Sequence, residues 1–71
     1  MTEIIPNVQY NILRALGKDA DFLYETVDGY IKDAKNSNNA DLVKIWQTIK
    51  QDREKHANMS REALEKEIHN Q

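Results

Sequence analysis

Only one stretch of this 71-residue chain breaks a helical pattern, the turn cluster Asn36-Ser37-Asn38-Asn39. Four small polar residues in succession favour a turn, and apolar residues recur at helical spacing on both sides of them. On the amino-terminal side, Val8, Ile12, Ala15/Leu16, Ala20, Leu23, Val27, Tyr30/Ile31 and Ala34 return every three or four positions. On the carboxy-terminal side, Leu42, Ile45/Trp46, Ile49, Arg53, His56, Ser60, Ala63/Leu64 and Ile68 do the same. The spacing predicts an all-α chain of one domain, residues 1–71, with helices over about 6–36 and 39–68. A turn this short makes the pair an antiparallel αα-hairpin.

Local chemistry supports these ends. Pro6 suits the first helical turn, where its missing N–H costs nothing. Asn39 is a good N-cap, and Asp41 in the first turn complements the helix dipole. Gly17 and Gly29 lie inside the first helix and weaken it by about 1 kcal/mol each relative to alanine. A break at Gly17, with Asp19 capping a further helix, is the alternative. The apolar stripe crosses Gly17 without a change of phase, which favours one continuous helix.

At 71 residues, 39% apolar and 31% charged, the chain is near the size where a lone core becomes marginal. It has no cysteine, which excludes disulfide staples and thiolate zinc sites. The first helix is apolar over a face too wide for one partner helix to cover. A homodimer forming a four-helix bundle covers it, with Leu23, Val27, Tyr30, Ile45, Trp46 and Ile49 expected among the buried contacts.

The net charge of −2 is spread over mixed acids and bases, with no basic block interleaved with aromatics, so nucleic acid is not the expected partner. No apolar run approaches the roughly 18 residues of a membrane span, and the amino end lacks a basic, signal-like start. A cytoplasmic location is the expectation.

The residues with chemical potential cluster in Asp52-Arg53-Glu54-Lys55-His56. An unpaired charge directed toward a core is very costly, so Arg53 calls for an acid: Asp19 across the seam, or one from a second chain. An antiparallel register centred near Asn38 sets His56 opposite Ala20, one position from Asp19. His56 therefore has two readings, an interior imidazole bonded to that acid or a metal ligand helped by Asp19, Glu25 or Asp52. A neighbouring guanidinium repels a cation, which favours the first. No Ser/His/Asp constellation, phosphate loop or zinc spacing occurs.

Three stretches in one register carry a family resemblance. Val27-Asp28-Gly29-Tyr30 resembles a Val-Asp-Trp-Tyr run. Asp41-Leu42…Ile45 resembles a Pro-Glu-Leu…Ile helix start, and His56-Ala57-Asn58-Met59-Ser60 resembles His-Ala-Ala-Met-Thr. Together, over roughly Glu25 to Ser60, they resemble the encapsulated ferritins, the two-helix members of the ferritin-like (rubrerythrin-like) superfamily. The resemblance implies a hairpin that dimerises into a four-helix bundle and oxidises iron at a site between two subunits. Of the ligand positions it implies, only His56 is kept. Leu23 and Arg53 stand where glutamates would be, Gly29 replaces a tryptophan, and the apolar carboxy-terminal tail is missing. Glu25 matches an acid where iron enters.

Two functional classes follow. The first is a non-catalytic, oligomerising ferritin-like hairpin with a degenerate metal site and no cofactor, a structural module or the binder of an unidentified protein. The alternative is an iron-binding protein, a ferroxidase or iron store, using His56 with substitute acids.

Overall fold

The computed structural model describes residues 4–69, and all its regular structure there is helical. α1 spans Asn7–Asp21, a π-helical turn spans Phe22–Thr26, α2 spans Val27–Asn36 and α3 spans Ala40–His69. No helix among the described residues is long and apolar enough to cross a membrane.

Pro6 caps α1 rather than opening it. Its extended ψ of 143° sits just outside the helix, and its carbonyl accepts the Tyr10 amide at 3.0 Å. α1 runs unbroken through Gly17, and neither glycine has a positive φ, so no break occurs there. Asp19 lies within α1 and caps nothing, because its carboxylate is engaged across the seam.

The turn is built by asparagine. Asn38 takes a left-handed conformation, φ 56°, which asparagine tolerates better than most side chains. The Asn39 amide donates to Ala34 O and the Asn38 amide to Lys35 O, both at 3.0 Å. That pair of bonds is a Schellman closure of α2. Asn39 then caps α3, its Oδ1 accepting the Leu42 amide at 3.1 Å. The chain folds back so that Asp28 meets Lys50 and, farther from the turn, Asp19 meets Arg53.

The first helix is not continuous in phase. From Ile5 to Leu23 a half-buried seam runs in alternating steps of four and three, Ile5, Gln9, Ile12, Leu16, Asp19 and Leu23, with Ala20 and Phe22 half-buried beside it. The series would continue to residues 26, 30 and 33. The buried positions of α2 are instead Val27, Ile31 and Ala34, each one residue later. The π turn absorbs that extra residue: the Val27 amide reaches back five positions to Phe22 O, and Thr26 is drawn to φ −122°. Without it, Val27, Ile31 and Ala34 would be rotated about 100° off the seam. α3 needs no such correction, its seam running Val43, Trp46, Lys50, Arg53, Ala57, Ser60, Leu64 and Glu67.

Little is buried. Among the described residues, Val27, Ile31 and Ala34 are the only buried hydrophobic ones, and Val8, Leu13, Tyr30, Ile45 and Met59 are large apolar side chains left exposed. The extents of 52 × 23 × 12 Å describe a ribbon one helix thick. Its radius of gyration is 16.1 Å, against about 11 Å for a compact domain of this length. It exposes 5733 Å², roughly 1,100 Å² beyond the 4,600 Å² or so of a compact monomer of this mass.

Candidate functional site

The two broad faces of the ribbon differ in chemistry, and the π turn is the cause. Phe22 and Tyr30 are eight positions apart, which in an α-helix would set them about 80° apart. The inserted residue brings them onto one face, their rings meeting edge-on at 6.2 Å between centroids. The Tyr30 ring also meets Trp46 of α3 at 4.9 Å. On the other flank of Phe22, the Arg53 guanidinium lies 4.8 Å from the ring centroid. Its Nη1 donates to Asp19 Oδ1 at 3.2 Å. The result is a line of groups across the seam: Asp19, Arg53, Phe22, Tyr30 and Trp46. By helical spacing, Ile45, Ile49 and His56 lie on the same side of α3.

The ion pair is asymmetric in burial. The Asp19 side chain is 14% exposed and that of Arg53 is 40% exposed. The carboxylate is thus mostly withdrawn from water and depends on its arginine. The guanidinium is held at Nη1, lies over the Phe22 ring and is 40% exposed, which leaves donors for a second acceptor.

The opposite face is charged. Lys50 donates to Asp28 Oδ1 at 2.9 Å. That hydrogen bond, followed by the Asp28 charge and more weakly by Glu54, raises the Lys50 pKa. Leu23, Tyr24, Glu54, Ala57 and Asn58 border this pair in a shallow hollow.

These positions revise several expectations drawn from sequence. Val27, expected at the contact with a second chain, is fully buried within its own chain and has no surface to offer. Leu23 borders the charged hollow rather than the aromatic face. Tyr30 and Ile45 are 43% and 52% exposed, while Trp46 and Ile49 are half-buried. His56 is exposed: the seam position belongs to Ala57, and Asp19 is taken by Arg53. Glu25 and Asp52 are also exposed. Among the described residues, no three His, Asp or Glu side chains converge on a point that could hold a metal ion. The di-iron centre that the resemblance implies lies between two subunits, and at two of its ligand positions this chain has Leu23 and Arg53, neither of which can ligate a cation.

Sequence reasoning missed the π turn, and with it the alignment of Phe22 with Tyr30. The signal was the run of three consecutive four-residue steps, Asp19–Leu23–Val27–Ile31, where a seam alternates fours and threes. Comparison with family models, with curated proteins and with solved structures finds no match to this chain.

Proposed function

We propose that this chain is a ferritin-like antiparallel helical hairpin that self-associates into a four-helix bundle and serves as a non-catalytic structural or partner-binding module. The observation that carries the reading is the ribbon itself, one helix thick and with three buried hydrophobic residues among those described. Stable domains are built from at least two packed layers, and this chain supplies one. A second copy is the simplest source of the other layer. Obligate small dimers of this kind have no separately stable monomer, so folding and assembly occur together.

The degenerate metal site follows from the residues at the implied ligand positions. Leu23 cannot ligate, Arg53 is held by Asp19, and His56 stands without converging acids in its own chain. The resemblance over Glu25 to Ser60 supports the hairpin while these substitutions weigh against ferroxidase chemistry.

Sedimentation velocity across micromolar concentrations, with metal analysis of untagged protein, tests the reading. The expected result is a dimer or larger assembly without stoichiometric metal. A well-folded monomer at micromolar concentration would refute self-association. About one iron per dimer, lost on His56→Ala, would establish the iron-binding alternative.

A further inference from the structure

Resting on the self-association reading, we infer that the second copy docks on the face carrying Phe22, Tyr30 and Trp46. In that arrangement the two Arg53–Asp19 pairs meet at the centre of the interface.

The choice of face follows from composition. Interface cores are enriched in Tyr, Trp, Phe and Arg and depleted in Lys, Glu and Asp. One face has the Phe22, Tyr30 and Trp46 rings with the Arg53–Asp19 pair, and Asp33 and Leu42 border its rings. The other has Lys50, Asp28 and Glu54 around a hollow, with Lys35, Gln47 and Gln51 alongside. Covering the second face would desolvate more charged groups than it joins.

The extent of overlap follows from area. The chain exposes roughly 1,100 Å² more than a compact protein of its mass. A face of 52 × 23 Å has a footprint of about 1,200 Å², above the roughly 800 Å² per partner of a standard interface. Docking across the whole face thus supplies more area than a standard interface needs. Complete overlap brings mid-length residues together for any two-fold axis lying in the contact plane.

Asp19, Phe22 and Arg53 are those residues, since each lies near the middle of its arm, between the turn at Ser37–Asn39 and the chain ends. An axis across the ribbon stacks arginine on arginine. An axis along its length stacks α3 on the partner's α1, so that each Arg53 faces the partner's Asp19. Charge complementarity selects the second. The remaining donors of each guanidinium then have an acceptor, and the four groups form one closed network.

The test uses two single variants, Asp19→Arg and Arg53→Asp, each examined alone and then mixed. Alone, each places four like charges at the centre, and its dimer dissociation constant should rise at least tenfold. Mixing should restore a heterodimer, detected by native mass spectrometry, in preference to either homodimer. Because these variants perturb the seam of the chain itself, Ile45→Glu and Tyr24→Glu provide an independent comparison at exposed positions. Ile45→Glu should weaken assembly, whereas Tyr24→Glu, on the charged side, should leave it unchanged with helicity retained in both.

A parent dimer that tolerates Ile45→Glu and yields to Tyr24→Glu would overturn the assignment of the face while leaving self-association intact. Dimers of the two charge variants as tight as the parent would place the ion pairs away from the interface. A parent that is monomeric throughout would instead refute the reading on which the inference rests.

Discussion

The pairing of Arg53 with Asp19 can be measured by a double-mutant cycle of Arg53→Ala, Asp19→Asn and both together. The hydrogen bond joins two charged groups at 3.2 Å. Bonds of that class contribute about 1.5–3 kcal/mol when dry and 0–1 kcal/mol when fully solvated. With Asp19 at 14% and Arg53 at 40% exposure, a coupling energy of about 1 kcal/mol is expected. Arg53 also covers the face of Phe22, a contact that contributes about 0.5–1 kcal/mol and is untouched by Asp19→Asn. Arg53→Ala should therefore cost about 2 kcal/mol and Asp19→Asn about 1 kcal/mol. Arg53→Lys should recover only part of the loss, because an ammonium keeps the charge without the planar stack. Urea unfolding followed by Trp46 fluorescence, at one fixed protein concentration, resolves differences of this size as midpoint shifts. A coupling energy below about 0.3 kcal/mol would show that the two side chains act independently and refute the reasoning.

The glycines offer a stabilising test: a Cβ at Gly17 or Gly29 would meet nothing within 4 Å. Ala at either should add about 0.5–1 kcal/mol, seen as a rise of several degrees in the calorimetric Tm, and a fall would show a contact that one chain lacks. If the π turn holds one surplus residue, deleting the exposed Glu25 should convert it to ordinary α-helix and preserve the seam. Deleting Lys32 should instead displace Ala34 and the turn, so equal loss of helical circular dichroism in both deletions would contradict the register. Lys50 gives a pH signature. Its raised folded-state pKa means that its contribution is fully present below the unfolded value of about 10.4 and is lost as pH rises through the folded value. Urea midpoints should thus fall more steeply above pH 10.5 or so in the parent than in Lys50→Met, and identical slopes would dismiss the Asp28 bond.

Much of the site was legible from residue types and spacing. The asparagine-rich turn at residues 36–39 fixed where the chain reverses, and Asn39 was readable as the cap of α3. The need of Arg53 for an acid points to Asp19 or to a second chain, and the structure pairs it with Asp19 at 3.2 Å, although a register centred near Asn38 sets Asp19 beside His56. The same reasoning failed for His56. A stripe drawn in steps of three or four admits residues on its flank, and His56 lies on that flank beside the true seam position, Ala57. Val27 differs: it is a true seam position, buried against its own chain and so withdrawn from any second one.

The sequence by itself determined that this protein is helical, where it turns, and that one chain has too little apolar mass to enclose a core. Those properties are local or compositional: backbone propensity, cap chemistry and the ratio of surface to volume act whatever the partner helix does. The tertiary structure decided the phase of the first helix. Val27, Ile31 and Ala34 reach the seam only if α2 is turned relative to α1, and packing against α3 compensates for a π turn that local propensity does not favour. That one inserted residue decides which side chains share a face, aligning Phe22 with Tyr30 and Trp46 and leaving Leu23 on the charged side. A periodic pattern specifies which positions are apolar, but only contact with a second helix specifies the rotation at which they are used.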